Sequence, residues 1–400
     1  MSARPVAGSL LALALAAPLL AGCSSDEDAA PDPADGASAA PSEEESTPER
    51  EAEERTPGAT PAPAEGEVEV EATLAEDLTS PWGIARLPDG DVLLGSRDNG
   101  TLSLVDTSAG EPGPVEEVGE VPGVRANGEG GLLGLALAPD FDTSGRLYVY
   151  ATTASDNRII PLELDREAPE GERLTAGEPL LADIPRGEVI HNGGGLAFGP
   201  DGMLYATTGD TADAQLAQDP DSLAGKILRI DPATGAPPED NPDPDSLVYS
   251  LGHRNVQGLA WDAEDRLWAA EFGNDTWDEL NLVEPGGNYG WPEHEGEGGA
   301  EDGFVDPVAV WAPAEASPSG LAYSGGALWL ATLRGERLWR VPLDGTEPVA
   351  EPQSFLAGEY GRLRGVLAVG EGELLLVTNE TDGRGSPGDT DDRLLRLRVS

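Results

Sequence analysis

The chain has 400 residues, 75 acidic against 24 basic for a formal charge of −51, with 52 Gly, 35 Pro and a single Cys. So acidic a surface repels phosphate and lacks the Lys/Arg patches that counterion release needs, which excludes nucleic acid as a partner. One cysteine excludes an intramolecular disulfide framework and a Cys-rich zinc site, and the Gly and Pro content argues for many turns rather than a helical bundle.

Residues 1–22 read as a signal peptide, with Arg4 ahead of an apolar run from Val6 to Ala21. The run ends in Leu20-Ala21-Gly22-Cys23, which resembles the bacterial lipobox, so the only cysteine stands where lipidation occurs. An acylated Cys23 implies an extracytoplasmic protein held to the cell membrane by its N-terminal lipid alone, without a span. Residues 23–66 continue as a linker. From Ser24 to Gly66 there are 13 acidic and two basic residues and no Leu, Ile, Val or aromatic residue. Such a segment cannot bury enough apolar area to offset its ordering entropy and is expected to be a disordered spacer.

Over residues 67–400 short alternating apolar runs recur between Gly/Asp turns, with no sustained 3.6-residue periodicity. One phrase repeats: Gly83-Ile84-Ala85, Gly134-Leu135-Ala136, Gly195-Leu196-Ala197, Gly258-Leu259-Ala260, Gly320-Leu321-Ala322 and a degraded copy, Gly365-Val366-Leu367-Ala368. The intervals are 51, 61, 63, 62 and 45 residues. Hairpin signatures such as Pro88-Asp89-Gly90 and Pro200-Asp201-Gly202 follow several copies. The pattern predicts an all-β fold, a six-bladed β-propeller of four-stranded antiparallel blades, with the small repeated strand innermost where the radius is tight. Glu67–Leu74 and Leu394–Val399, both strand-like, are expected to share one blade and close the ring.

In such a ring the residues before each inner strand, and those after each second strand, meet at one mouth of the central channel. The first set holds Trp82, Glu129, His191, Arg254, Asn255, Gln257, Ser317, Ser319, Arg362 and Arg364; the second holds Asp210, Gly273, Asn274 and Arg334. Four arginines converging in so acidic a protein point to a polyanionic ligand bound by forked guanidinium contacts. His191 and Asp210 belong to the same unit, and an Asp orienting a neutral imidazole is what a general base near neutral pH requires. His253 and His294 show no such partner and read as structural.

Across residues 74–399 the chain resembles the glucose/sorbosone dehydrogenase family. The resemblance rests on Gly128-Glu129-Gly130-Gly131-Leu132-Leu133-Gly134, His191, Gly199-Pro200-Asp201-Gly202, Gly209-Asp210, Gly225-Lys226-Ile227-Leu228-Arg229 and Asn241-Pro242. It continues through Gly252-His253-Arg254-Asn255, Gln257-Gly258-Leu259-Ala260, Asp278-Glu279-Leu280-Asn281, Gly287-Asn288-Tyr289-Gly290-Trp291-Pro292 and Gly361-Arg362-Leu363-Arg364. Each motif is weak alone, and their joint order is specific.

That resemblance implies oxidation of aldoses at C1 to lactones with pyrroloquinoline quinone (PQQ) and Ca²⁺, electrons passing to an external acceptor. It assigns His191 as base and Asp210 as its support. Arg254, Asn255, Arg334, Arg362 and Arg364 would hold PQQ, main-chain carbonyls of Gly273 and Asn274 would hold Ca²⁺, and Glu129 and Gln215 would lie near the sugar. Ile190 stands where glucose-oxidising members carry an acid, and Glu129 replaces an amide, which points to the broad-specificity aldose branch. Two other classes compete: a non-catalytic cell-surface propeller that binds a sugar or protein ligand, and a calcium-dependent lactonase. The first leaves the His191–Asp210 pair without a purpose and the second leaves the arginines without one.

Overall fold

In the computed structural model, which describes residues 61–400 apart from 109 and 170, the repeated segments are innermost strands. They are Pro81–Arg86, Leu132–Leu137, Leu196–Phe198, Val256–Trp261, Pro318–Ser324 and Leu363–Gly370. Each begins an antiparallel sheet, six in all, and in the first five the sheet runs outward in chain order. Inner strands touch in sequence around the channel and the last touches the first, so the ring is closed.

Close approach between blades explains the recurring glycine. A Cβ at Gly83 would lie 2.7 Å from the Leu133 carbonyl oxygen, at Gly134 2.2 Å from that of Gly194, and at Gly195 2.7 Å from that of Gln257. At Gly258 it would lie 2.4 Å from the Ser319 carbonyl oxygen, and at Gly320 2.6 Å from the Val366 nitrogen. In every case the obstacle is backbone of the next blade, which cannot yield as a side chain can. At Gly365 the nearest atom is a methyl of Ile84 at 3.4 Å, an ordinary contact, so the sixth copy does not share this backbone constraint.

The apolar interior is divided accordingly. Six buried clusters each join one blade to the next; Leu132, Leu147 and Ile160 of the second blade pack on Leu93 and Leu102 of the first. The others lie between blades two and three, three and four, four and five, five and six, and six and one. Sheets are therefore buried on both faces, and no common core fills the axis.

The N-terminal strand Val68–Ala75 supplies the outermost strand of the sixth blade, with Val68 opposite Val399 and Ala75 opposite Leu394, which closes the ring with both chain ends as expected. Two blades divide their outermost position. Leu174–Ala176 and Leu181–Ile184 both pair with Asn157–Leu164, and Glu347–Pro348 and Gln353–Phe355 both pair with Arg337–Asp344. The folded unit also begins earlier than residue 67. Ala62 is buried and donates its N–H to the Leu343 carbonyl at 3.0 Å, and Arg340 donates to the Pro63 carbonyl at 2.9 Å. The leader, Cys23 and the linker up to residue 60 lie outside the described residues.

Candidate active site

One mouth of the channel holds a cavity of about 490 Å³ lined by His191, Arg254, Asn255, Arg334, Arg362, Arg364 and Glu129, with Arg97, Ile190, Gln257, Phe272, Ser317, Leu333, Asp382 and Arg384. Segments from all six blades meet there, because each inner strand starts at this mouth and each second strand ends at it.

His191 precedes the third inner strand in a left-handed backbone conformation, φ 60°, that a non-glycine residue adopts only when its surroundings enforce it. Glu129 Oε2 accepts the His191 N–H at 2.9 Å, and Asn255 Oδ1 accepts the Gly193 N–H at 2.9 Å. Its Nδ1 lies 2.6 Å from Asp210 Oδ1. Asp210 is buried, and it also accepts from the Ala212 N–H at 2.8 Å and the Trp291 Nε1–H at 2.9 Å. Burial works to raise the Asp210 carboxyl, but the His191 ring and these donors outweigh it and hold the group below the usual carboxylate range. An ionised carboxylate only accepts, so Nδ1 carries a proton, and in the neutral ring Nε2 presents its lone pair. Nε2 has no partner among the described residues.

The arginines form a second layer. Arg362 donates twice to Asp382 Oδ2, at 3.2 and 2.8 Å, and Arg97 pairs with Asp98 while reaching the Asp382 carbonyl at 3.0 Å. Arg364 is buried, donates to Asn379 and Gln257, and has only a shared carboxylate, Asp382 at 3.6 Å. Burial, with the charges of Arg97 and Arg362 beside it, pulls its guanidinium down to about 9. Among the described residues Arg254 makes no ion pair; its Nε is buried without a hydrogen-bond partner there, and its guanidinium lies over the Trp291 ring at 5.5 Å. Arg334 is exposed and has no ion pair or hydrogen bond among the described residues. The cavity thus has three more guanidinium charges than the protein's own carboxylates neutralise on its wall: six arginines against Glu129, Asp382 and the neighbouring Asp98.

Other expected residues lie differently. Gln215 is exposed on a short turn, Ala214–Ala217, and Gly273 and Asn274 sit one and two residues beyond Phe272; none of the three lines the cavity. The Gly273 and Asn274 N–H groups are held by Asp278 Oδ1 and Glu295 Oε1, at 2.9 and 2.6 Å, while their carbonyl oxygens accept no hydrogen bond from the described residues. No group of three or more His, Cys, Asp or Glu side chains among the described residues is placed to hold a metal. Sequence reasoning missed Arg97, Asp382 and Arg384. Arg97 directly follows the second strand of the first blade, and Asp382 and Arg384 follow that of the sixth, so the rule that found Asp210 and Arg334 reaches them when applied to every blade.

Comparison with known proteins places the chain among sugar dehydrogenases by sequence and by fold. The solved structure of the PQQ-bound form of aldose sugar dehydrogenase from Streptomyces coelicolor is similar, with 57% identity and a TM-score of 0.82, covering 85% of this chain and 100% of that one. Aldose sugar dehydrogenase YliI of Escherichia coli is 30% identical over 351 residues, 80% of this chain and 92% of its own. Quinoprotein glucose dehydrogenase B of Acinetobacter calcoaceticus is 32% identical over 255 residues, 55% of this chain and 51% of its own. The Glucose / Sorbosone dehydrogenase family model matches residues 78–396, and the chain belongs to that family.

Proposed function

We propose that this protein is a PQQ- and Ca²⁺-dependent dehydrogenase that oxidises aldoses at C1 to lactones and passes the electrons to an external acceptor. The observation that carries the reading is the pairing, in one cavity, of a carboxylate-supported imidazole with three uncompensated guanidinium charges. PQQ bears three carboxylates, so the donor set fits it in charge and in chemistry. Arg254, Arg334 and Arg364 would hold those carboxylates, with Arg362 and Asn255 beside them. A hard cation takes oxygen ligands, and the carbonyls of Gly273 and Asn274, just beyond the cavity wall and without a hydrogen bond from the described residues, would hold Ca²⁺ beside the cavity together with the cofactor's own donors.

When bound, the quinone serves as the two-electron acceptor for the hydride leaving the sugar's C1. The chain supplies the rest. Nε2 of His191 takes the proton of the anomeric hydroxyl, and Asp210 stabilises the imidazolium that results. Glu129, with one oxygen on the His191 N–H and the other 2.8 Å from Arg384, fixes the wall against which the sugar lies. The acidic spacer and a lipidated Cys23 would keep the enzyme on the outer face of the membrane; Cys23→Ser should release it in soluble form.

The test is reconstitution of apo-protein with PQQ and Ca²⁺, followed by dye-linked assay over a panel of aldoses. Turnover that depends on both additions and is lost on chelation supports the reading. Tight sugar binding with no turnover on any aldose would favour a binding module instead.

A further inference from the structure

Lys226 is the only lysine of the chain and it is fully buried. It opens the third strand of the third blade, Lys226–Ile230, and its Nζ donates to the carbonyl oxygens of Leu216 at 2.8 Å, Ala217 at 3.0 Å and Ala224 at 2.7 Å. Three N–H donors meet three acceptors, so the ammonium is completely satisfied without an ion pair. A buried cation held only by carbonyls carries a desolvation cost that an apolar residue would not. What it holds is a single loop, residues 209–225.

That loop carries Asp210. Its base is closed by the Gly225 N–H on the Gly209 carbonyl at 2.9 Å, and the Lys226 main chain is itself paired with Thr208. Its far end is tied to the segment bearing Trp291: Gln218 Nε2 donates to the Trp291 carbonyl at 2.8 Å, and Trp291 Nε1 donates back to Asp210 at 2.9 Å. The two carbonyls at the end of the Ala214–Ala217 turn are clamped by Nζ between these fixed points.

We propose that Lys226 is a positioning residue for the reaction: its ammonium clamps the 209–225 loop so that Asp210 stays in register with the His191 imidazole, and loss of its proton loosens the site. The inference rests on the reading of His191 as the base. Burial draws the Lys226 ammonium down to about 8, and Asp219 is the one carboxylate among the described residues whose field opposes this. Deprotonation leaves two donors for three carbonyls, so the clamp is complete below that pH and weakened above it.

Lys226→Met in the full chain, loaded with PQQ and Ca²⁺, is the direct test. Misplacement of Asp210 should lower kcat by about tenfold to a hundredfold. The KM for aldose and the PQQ affinity should stay close to wild type, since no guanidinium is disturbed; wild type should lose kcat as pH rises past about 8, and the variant should lack that alkaline fall. In the apo-protein, hydrogen exchange should speed up over residues 209–218 and not in the inner strands. A variant with wild-type kcat, pH profile and exchange would overturn the clamp. If wild type oxidises no aldose, the functional reading fails, and the exchange comparison alone decides whether Lys226 holds the loop. If the variant does not fold, wild-type protein labelled with ¹³Cε-lysine gives one resonance. Its titration coinciding with the alkaline fall of kcat supports the proposal, and a lysine still protonated beyond that fall overturns it.

Discussion

His191 and His253 each hold Nδ1 against a buried carboxylate, at 2.6 Å from Asp210 and 2.8 Å from Glu271, and by that measure they are the same device. Their second nitrogens separate them. Nε2 of His253 is bonded to Ser250 Oγ at 2.8 Å, the ring stacks on Tyr289 at 4.6 Å, and the side chain is fully buried. Nε2 of His191 is free beside a cavity walled by arginine. Glu271 also accepts the Arg254 N–H, so the His253 pair shapes the segment that presents Arg254. A histidine–carboxylate pair is therefore not itself a base; an unspent lone pair facing a ligand site makes the difference.

Exchanging the two histidines for alanine should break the comparison most visibly. His191→Ala should lower turnover by about 10²–10⁴-fold, the range of general base catalysis, while PQQ still binds. His253→Ala takes one hydrogen-bond donor from buried Glu271, which keeps the Arg254 N–H and Asn281 Nδ2, and should cost about 1–3 kcal/mol of stability, measured by denaturant unfolding, with far less loss of turnover per folded molecule than His191→Ala. Asp210→Asn should lower kcat by about 10²-fold or more, because an amide no longer fixes the tautomer with Nε2 as acceptor. The parallel Glu271→Gln should act on stability. Arg334→Ala should weaken PQQ binding by about tenfold, the worth of one charge-assisted hydrogen bond, without lowering the apo-protein's melting temperature, since that guanidinium has no partner to orphan among the described residues. Arg364→Ala should weaken PQQ binding and also destabilise the apo-protein, because Asn379 and Gln257 lose a donor.

The smallest effect is one of pH. Burial raises the Asp278 carboxyl to about 6, against the N–H groups of Ser317 and Gly273, and raises Glu279, with the Glu271 charge adding to it. Both hold protons more tightly folded than unfolded, so stability falls as pH rises from the unfolded carboxyl range through the folded one. Asp210 and Asp382, shifted the other way, have already delivered their contribution above about pH 4. The melting temperature should drop by a few degrees between pH 5 and pH 7.5, where each kcal/mol moves it by about 2–4 °C.

Much of this architecture is legible in the sequence for a physical reason. Gly83, Gly134, Gly195, Gly258 and Gly320 each face backbone of the next blade, and backbone admits no substitute, so the period survives in the letters. The outer strands make no such demand, and the doubled edges of blades two and five leave no signature. The site is legible where topology alone fixes position: His191, Asp210 and the four arginines follow from which ends of which strands share a mouth. Occupancy is not. Nothing in the sequence says that Glu129 is already engaged by the His191 N–H and Arg384, that Glu271 completes His253, or that Lys226 is spent on carbonyls. Those depend on side-chain reach across loops, where no period constrains the residue. The docking of Ala62 and Pro63 on the fifth blade is hidden likewise, since their composition matches the spacer before them.

If the cavity arginines hold the cofactor while His191 alone does the proton transfer, single-turnover spectroscopy separates the two roles. Wild type and His191→Ala, each loaded with one equivalent of PQQ and Ca²⁺, would be mixed with an aldose and the quinone absorbance followed. PQQ occupancy should be equal, with rapid bleaching in wild type and a rate lower by about 10²-fold or more in the variant. Equal bleaching rates in both proteins, or failure of the variant to take up PQQ, would contradict it.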